Sequence, residues 1–395
     1  MAEQNDMVIC NPVRTAIGSF SGTLKNVPAS DLGAAVIRES VARSGIDPAK
    51  VSSVVMGNVI QAGAGMNPAR QAAINGGIPV EAPALTVNRV CGSGLQSIAQ
   101  AVQEIRAGDA EVVIAGGMEN MDQAPYLLMK ARAGYRLGHG EILDSMLRDG
   151  LHDAFTNEHA GWHTEDLVEK YGISREEQDE WAVRSHQRFS AAQAAGHFQE
   201  EIVPFEVTER KKTTVFDTDE HNRPDANLEG LQKLRGAFRK DGTITAGNAP
   251  GINSGAAAMV VCSADTAAAL GMTPVARIVS TGVAGVEPGM FGIGPVPAAQ
   301  RCLARAGWSV ADVQRWEINE AFAAITLAVI KDLGLSQDVV NVEGGAIAHG
   351  HAIGATGAVL MTRIIHSMRR DQLTRGVVTM CIGGGQGVAA AIELL

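Results

Sequence analysis

The sequence has little charge, little proline and few cysteines, and each shortage excludes a class of protein. Charged residues make up 19% of the 395 residues and hydrophobic residues 46%, which excludes a disordered chain. The 14 prolines, with glycines that follow no three-residue period, exclude collagen. The five cysteines are widely spaced and odd in number, which favours reduced thiols over a disulfide framework and predicts a cytoplasmic protein.

Two kinds of surface are missing as well. The net charge is −10, and the most basic stretch, residues 206–241, holds as many acidic as basic residues, so we expect no nucleic-acid partner. The longest apolar run, residues 321–330, ends at Lys331 and is too short to cross a membrane. The first ten residues lack the basic and apolar regions of a signal peptide. These observations predict a protein without a membrane partner.

The first 120 residues alternate between apolar runs typical of strands and patterns typical of helices. The predicted strands are residues 7–10, 51–59, 85–90 and 111–115. The predicted helices are residues 31–44, capped by Ser30 or Asp31, and residues 95–107. Continuously apolar strands separated by helices predict an α/β fold whose mostly parallel sheet is covered on both faces.

The last third repeats this order, with helices at residues 296–306 and 357–368 and strands at 313–318, 339–342 and 376–381. Five identities at one constant offset support a duplication; they pair Ala42, Arg43, Gly45, Ala49 and Val51 with Ala304, Arg305, Gly307, Ala311 and Val313. We interpret the chain as two copies of one α/β unit.

The middle of the chain breaks the alternation. It contains residues 121–142, rich in Met, Arg and Gly, then a polar helix at 174–195 and a polar, loop-like stretch at 208–242. An insertion of this size predicts a binding site or an oligomer contact, and a surface subdomain without a function is the alternative.

Four glycine-rich clusters follow predicted strands, and the first, residues 88–94, contains Cys91 at the start of a helix. A helix N-terminus lowers the pKa of a thiol, so Cys91 is placed like a nucleophile. A small buried cysteine in a tight turn is the alternative. The fourth cluster, residues 381–387, repeats the pattern with Cys381 and three glycines whose N–H groups could stabilise an oxyanion.

The second and third clusters add polar side chains at strand ends. Asn319, in residues 319–322, could hold a water or an oxyanion, or could merely cap a helix. His349 and His351 lie in the glycine loop at residues 344–357. A zinc site of Cys91, His351 and Cys381 is a less favoured interpretation, and two thiols with a histidine fit covalent acyl transfer better.

These clusters, in this order and spacing, closely resemble the thiolase family, and within it the acetoacetyl-CoA thiolases (acetyl-CoA acetyltransferases). Residues 12–18, 116–119, 245–248 and 294–297 add to the resemblance. It implies duplicated βαβαβαββ halves in a five-layered α/β/α/β/α arrangement with an inserted loop domain. The implied N-terminal half is residues 1–119 plus 245–270, the loop domain that holds coenzyme A is 120–244, and the C-terminal half is 271–395.

The resemblance also implies roles for individual residues. Cys91 would be acylated, His351 would activate it, and Cys381 would remove the α-proton of the second acyl-CoA. Asn319 would hold a water in one oxyanion hole with His351, and the N–H groups of Cys91 and Gly383 would form the other. The implied substrate contacts are His159, Arg223 and Ala246 on coenzyme A, Ala160 and Phe291 at the acyl pocket, and Phe322.

The implied reaction is a reversible Claisen condensation of two acetyl-CoA to acetoacetyl-CoA and CoA, by an enzyme without metal or redox cofactor that forms homodimers or homotetramers. A degradative 3-ketoacyl-CoA thiolase for longer chains, a ketoacyl synthase relative and a non-catalytic acyl-CoA-binding protein are alternatives. Ala352 and His349 depart from the family's Gly-His-Pro loop, and Pro250 stands where a serine commonly binds the pantetheine amide. We expect Ala352 to leave His351 less fixed, unless the change is harmless.

Overall fold

The computed structural model describes residues 6–395. Residues 1–5, which the sequence assigns to the N-terminal half and to the stretch without signal-peptide features, lie outside the described residues. Strands of the first half are β1 (Met7–Thr15), β2 (Gly18–Ser19), β3 (Ser53–Gly57), β4 (Ala84–Val87) and β5 (Val112–Asn120). Its helices are α1 (Ala29–Ser44), α2 (Pro68–Asn75) and α3 (Ser93–Ala107). In the described part of the chain, no helix is long and apolar enough to cross a bilayer.

The insertion carries its own small elements before the chain returns to the main sheet. Its strands are β6 (Tyr126–Leu127), β7 (Leu143–Asp144), β8 (Ile202–Val203), β9 (Phe205–Glu209) and β10 (Lys212–Phe216). Its helices are α4 (Ala160–Tyr171), α5 (Arg175–Ala194) and α6 (Leu228–Gln232). The expectation of a loop at 208–242 is correct for residues 217–227 and 233–242 and wrong elsewhere, because β9 and β10 form a hairpin and α6 follows it.

The remaining elements complete the first half and build the second. Strand β11 (Asn253–Ser263) and helix α7 (Ala264–Ala269) return to the first half, and β12 (Ala276–Gly285) opens the second. The second half continues with α8 (Pro295–Ala306), β13 (Arg315–Ile318), α9 (Ala323–Leu333), α10 (Ala346–His349), α11 (Thr356–Arg370), β14 (Arg375–Ile382) and β15 (Gln386–Leu394).

The main sheet has the order β13-β14-β15-β12-β1-β11-β5-β3-β4, with β2 and β8 added at its centre. Along that path only β13–β14, β5–β3 and β3–β4 pair in parallel, so the expectation of a mostly parallel sheet is wrong. The strands are continuously apolar because helices cover both faces of the sheet. This burial is the same for parallel and antiparallel strands, so the apolar pattern does not predict strand direction. The short turn between β14 and β15 permits only an antiparallel pair.

The two halves repeat one another locally. Helix α1 ends at Gly45 (φ 72°) and is followed by a 3₁₀ turn and β3, while α8 ends at Gly307 (φ 69°) and is followed by a 3₁₀ turn and β13. Glycine is required at both ends because the left-handed conformation strains other side chains. The halves join where β1 meets β12, through the pairs Val8–Arg277 and Ile9–Ala276.

The helices form three layers around the two half-sheets. Helices α1 and α2 cover the outer face of the first half, α8 and α9 cover that of the second, and α3 and α11 pack together between the half-sheets. The middle helices approach closely because Gly94 and Gly357 face each other's backbone; a Cβ at Gly357 would lie 2.3 Å from the nitrogen of Leu95. This is the five-layered arrangement that the resemblance to the thiolase family implies.

Several predicted boundaries are wrong. The expected strand at 339–342 is only a bridge between Val340 and Trp316, and the strand expected at 111–115 continues through two glycines to Asn120. Helix α1 begins at Ala29 after Pro28, and no side chain among the described residues caps it. Pro28 occupies the N-cap position, and the expected caps Ser30 and Asp31 lie inside the first turn of the helix.

A buried ion cluster ties the insertion to the first half. The Arg14 guanidinium donates to Glu201 Oε1 at 2.8 Å and to both oxygens of Asp219 at 2.8 and 2.9 Å, and the three side chains are almost completely buried. Asp219 also accepts a hydrogen bond from the backbone N–H of Ile17 at 2.7 Å. The cluster therefore fixes the chain on either side of the β9–β10 hairpin against β1.

Candidate active site

A cavity of about 850 Å³ lies where the insertion meets both halves, and its lining is mainly apolar. Eight of the eleven residues to which the resemblance assigns a catalytic or substrate role line it: Cys91, His159, Ala160, Ala246, Phe291, Phe322, His351 and Gly383. Asn319 and Cys381 are buried next to it, in contact with lining residues. The glycine-rich clusters thus converge on one site, at the ends of strands from both halves.

Cys91 lies on a strained turn between β4 and α3. The preceding residue, Val90, has φ 45°, a left-handed conformation that is rare for a β-branched side chain. The turn is held by its own polar groups: Asn88 Oδ1 accepts from the Val90 N–H at 2.9 Å, and the Ser93 hydroxyl donates to the Val90 carbonyl at 2.7 Å. Backbone strain of this kind persists only where the surroundings impose it, and here it presents the thiol to the cavity.

Burial dominates the electrostatics of the Cys91 thiol and raises its pKa to about 11. The N–H groups of Gly383 and of Cys91 itself are directed at the sulfur and oppose this rise. The prediction that the helix N-terminus lowers the pKa is wrong, because Cys91 precedes the N-cap Gly92 and burial outweighs a dipole effect of about 0.3–1 kcal/mol. The resting thiol is protonated and needs a base.

His351 is held from three sides in the loop between α10 and α11. Its backbone N–H donates to Asn253 Oδ1 at 2.9 Å, its Nδ1 lies 2.7 Å from Thr356 Oγ1, and its Nε2 lies 3.3 Å from Asn319 Nδ2. The Thr356 hydroxyl donates its one proton to the Ala352 carbonyl at 2.8 Å, so it accepts from His351 Nδ1–H. This assigns the Nδ1–H tautomer and leaves the lone pair on Nε2, with its neighbour Asn319 as donor.

The surroundings of His351 and Asn319 decide three points: the charge of the imidazole, the effect of Ala352, and whether Asn319 caps a helix. Burial lowers the pKa of His351 to about 4, so the imidazole is neutral and Nε2 can accept a proton. Ala352 does not free the ring, because Thr356 holds its Nδ1 and Asn253 holds the backbone N–H of His351. Asn319 does not cap a helix: α9 begins at Ala323, and its N-cap is Phe322.

The second thiol, Cys381, lies at the end of β14 and is 1% exposed. Burial raises its pKa well above 9, and the neighbouring Cys91 raises it further. The glycines that follow make the turn into β15, where Gly384 and Gly385 have φ of 82° and 86°. This turn is what directs the Gly383 N–H at the Cys91 sulfur.

Cys91, His351 and Cys381 do not form a metal-binding group. Across residues 6–395, no cluster of three or more His, Cys, Asp or Glu side chains has the arrangement that a metal ion needs. The residues present therefore do not fit the zinc alternative.

In another part of the cavity wall, His159 stacks on Phe238 with ring centroids 4.4 Å apart, and Phe238 meets Phe322 edge-on at 5.9 Å. Burial lowers the pKa of His159 to about 4, so this wall is uncharged. Pro250 lines the cavity nearby. Arg223, expected at coenzyme A, is not among the described residues that line the cavity; it is exposed, and its backbone N–H donates to His186 Nδ1 at 3.2 Å.

Three residues that matter for the site were given no role from the sequence. Asn253 and Thr356 hold His351, and Glu119 holds the loops around Cys91 and His351. Thr356 is five residues beyond His351 at a helix start, a position where a hydroxyl commonly bonds the preceding turn. Nothing in the sequence signals the contact of Asn253, because it joins segments almost a hundred residues apart.

Comparison with known families gives two matches that cover nearly the whole chain. The model described as "Thiolase, N-terminal domain" matches residues 7–265. The model described as "Thiolase, C-terminal domain" matches residues 272–394. The gap between the two matches lies just before β12, the first strand of the second half.

Curated relatives and solved structures agree with these matches. Acetyl-CoA acetyltransferases of Pseudomonas aeruginosa and Escherichia coli are each 52% identical over 98% of this chain and 99% of their own length. The crystal structure of the Bacillus anthracis acetyl-CoA acetyltransferase superposes with a TM-score of 0.97 at 45% identity, and human mitochondrial 3-ketoacyl-CoA thiolase with 0.95 at 43%. Both alignments cover the whole of each chain.

Proposed function

The chain belongs to the thiolase family, and from that premise we propose that it is an acetyl-CoA C-acetyltransferase that works through a Cys91 acyl-enzyme. Its reaction is the reversible condensation of two acetyl-CoA to acetoacetyl-CoA and CoA. The relatives of about half identity support this choice of substrate. The observation that carries it is the convergence, in one apolar cavity, of a protonated Cys91, a neutral His351 and the Gly383 N–H.

The first half-reaction transfers an acetyl group to Cys91. His351 Nε2 takes the thiol proton as the sulfur attacks the thioester carbonyl, and the N–H groups of Cys91 and Gly383 stabilise the oxyanion. The C–S bond to CoA then breaks, and the CoA thiolate takes the proton of Cys381. The products are free CoA, acetylated Cys91, a protonated His351 and a Cys381 thiolate.

The second half-reaction forms the carbon–carbon bond. The Cys381 thiolate removes the α-proton of a second acetyl-CoA, and the enolate oxygen is stabilised by His351 Nε2–H together with a water held by Asn319. The enolate carbon attacks the acetyl group, the Cys91 sulfur leaves, and His351 returns its proton to that sulfur. Every proton is back in place, which accounts for two thiols in one site and predicts ping-pong kinetics.

We assign the apolar cavity to the thioester without any metal or redox cofactor. His159, Ala246 and Phe322 contact coenzyme A, and Ala160 and Phe291 bound the acyl end. The position of these side chains in the cavity wall supports the assignment. Thiolysis of longer 3-ketoacyl-CoA is a second candidate, favoured by the similarity to a 3-ketoacyl-CoA thiolase structure.

We further propose a cytoplasmic homotetramer, or a homodimer, built through two apolar surfaces. In the insertion, Tyr126, Met129 and Leu137 are 68%, 63% and 100% exposed. The second surface is an edge of the main sheet, where the last strand, β4, carries the exposed Leu85. Exposed apolar patches and open sheet edges favour association. We include in this proposal the division of the chain into an N-terminal half, a loop domain and a C-terminal half, at residues 1–119 plus 245–270, 120–244 and 271–395. In this division the loop domain carries the first of the two surfaces.

The decisive experiment is Cys91→Ala. Incubation of the wild type with acetyl-CoA should add one acetyl group to the peptide that contains Cys91, detected by mass spectrometry. The variant should fold, bind CoA, remain unlabelled and lose thiolysis of acetoacetyl-CoA by more than about a thousandfold. Thiolysis retained by the variant would exclude the acyl-enzyme, and CoA binding by the wild type without any label would favour a non-catalytic binding protein.

A further inference from the structure

Glu119 is completely buried at the end of β5 and accepts four hydrogen bonds. Its Oε1 accepts from Asn58 Nδ2 at 2.8 Å and from the Ile60 N–H at 3.3 Å. Its Oε2 accepts from the N–H groups of Val59 and Gly354, each at 3.0 Å. Four donors match the lone-pair capacity of an ionised carboxylate. Burial raises the pKa of Glu119 to about 7, and these four hydrogen bonds oppose that rise because they favour the ionised form.

These donors come from both halves of the molecule. Residues 58–60 follow β3 in the first half, whereas Gly354 lies three residues after His351 in the second. The two segments touch: a Cβ at Gly57 would lie 2.6 Å from the Gly354 carbonyl oxygen, and a Cβ at Gly117 would lie 2.2 Å from it. Glu119 is therefore the polar clamp at the point where the His351 loop docks on the first half.

The backbone segments that Glu119 fixes carry the apolar wall around Cys91. Val59, Ile60 and Ile353 form one buried cluster with two methionines, and Cys91 packs against this cluster. Val59 and Ile353 also line the cavity, whereas Glu119 lies behind them and does not reach it. A shift of these segments would change the space beside the Cys91 thiol, and none of the residues proposed to contact coenzyme A lies in them.

We propose that Glu119 is a positioning residue for acyl transfer, whose carboxylate holds the wall segments 58–60 and 353–354 at a fixed separation around the Cys91 thiol. The inference rests on the proposed function for its kinetic consequence, although the clamp can be measured without any activity. Of the groups packed around this carboxylate, three are backbone N–H donors, so an acceptor is needed here. A donor at position 119 would face them.

The test is Glu119→Gln, which keeps the size and replaces one acceptor oxygen with a donor. Its matched control is Glu201→Gln, another buried carboxylate, which contacts Arg14 away from the cavity. In Glu119→Gln the amides of Val59, Ile60 and Gly354 should exchange hydrogen at least tenfold faster than in the wild type and in the control. Equal protection of these amides in Glu119→Gln and the wild type would overturn the clamp.

The kinetic arm uses acetoacetyl-CoA and a longer 3-ketoacyl-CoA. We expect kcat of Glu119→Gln to fall roughly tenfold to a hundredfold, as displacements near 1 Å at reacting groups cause. The KM for CoA should stay within about twofold, because the residues proposed to contact coenzyme A lie outside segments 58–60 and 353–354. The ratio of kcat/KM for the two substrates should change at least fivefold. An unchanged kcat and ratio, or an equal loss in Glu201→Gln, would refute the positioning role.

A second variant and the amide-exchange measurement cover the two cases in which Glu119→Gln kinetics alone would not decide. If Glu119→Gln does not fold, Glu119→Met supplies a variant of similar volume with no acceptor, and the same amides and kinetics are measured. If the wild type forms no acyl-enzyme, the proposed function fails. Amide exchange then still tests whether Glu119 holds segments 58–60 and 353–354 in place.

Discussion

The hydroxyl of Thr356 lies 2.7 Å from Nδ1 of His351 and donates its own hydrogen bond to the Ala352 carbonyl. Thr356 therefore fixes both the orientation and the tautomer of the proposed base, as an orienting partner does for other catalytic histidines. It does so from the first residue of α11, which makes the start of that helix part of the site.

Replacing Thr356 by valine removes this acceptor at nearly constant volume. We expect kcat for acetoacetyl-CoA thiolysis to fall roughly tenfold to a hundredfold, because Nε2–H becomes accessible as a tautomer and the ring is no longer aimed. Thr356→Ser keeps the hydroxyl and should retain most of the activity. A Thr356→Val enzyme with wild-type kcat would contradict the tautomer assignment.

The reactivity of Cys91 toward iodoacetamide should report its raised pKa. Because burial raises that pKa to about 11, the thiolate fraction of the free enzyme grows through pH 10 and beyond. The alkylation rate of the Cys91 peptide, followed by mass spectrometry, should still be rising at pH 10. An alkylation rate that reaches a plateau near pH 7 or below would indicate a lowered pKa of Cys91, as the prediction from the helix N-terminus requires.

His349 is completely buried, and neither of its ring nitrogens has a hydrogen-bond partner among the described residues. Burial, together with the charges of Arg363 and Arg14, lowers its pKa well below 6.5. His349→Leu removes the unpaired polar group and should stabilise the protein by about 1–3 kcal/mol at pH 7, measured by urea denaturation. A destabilised variant would show that the imidazole has a partner in solution.

The same variant has a pH signature whose sign follows from proton binding. Below about pH 6.5 the unfolded chain protonates position 349 while the folded protein keeps His349 neutral, so wild-type stability falls as pH falls. Leucine cannot contribute this loss. The stability difference between His349→Leu and the wild type should therefore widen from pH 7 to pH 5.5, and a constant difference would contradict the lowered pKa.

Arg14→Met should leave Glu201 and Asp219 as unpaired buried carboxylates. Breaking a buried ion cluster by removing one partner costs about 3–5 kcal/mol, so the urea midpoint should fall sharply. Arg43→Met, which removes a half-exposed pair with Glu39, should cost less than about 1 kcal/mol. Similar shifts in the two variants would show that the Arg14 cluster does not anchor the insertion.

The sequence alone places Cys91, His351 and Cys381 in glycine loops after strands, because such loops carry local signals: a turn, a helix start and a reactive side chain. The order of elements and the duplication follow for the same reason. Gly45 and Gly307 end equivalent helices in the two halves, and the identical residues around them are enough to pair them.

Properties that depend on distant contacts do not follow from the sequence. Strand direction depends on which strands become neighbours, and the raised pKa of Cys91 depends on what buries it. The β9–β10 hairpin, residues 205–216, is polar and its sequence resembles that of a loop, since only Val207 and Phe216 of its strands are buried. Glu119 could not be given a role, because its four donors come from two segments far apart in sequence.

The packing of α3 against α11 has a consequence for the origin of the site. The loop before α3 carries the proposed nucleophile and the loop before α11 carries the proposed base, and the two helices are equivalent members of the two halves. A symmetric pair of single-half chains would present two cysteine loops or two histidine loops, but never one of each. Division of labour between nucleophile and base therefore requires that the two copies differ in sequence, and joining both copies in one polypeptide ensures that each molecule carries one loop of each kind.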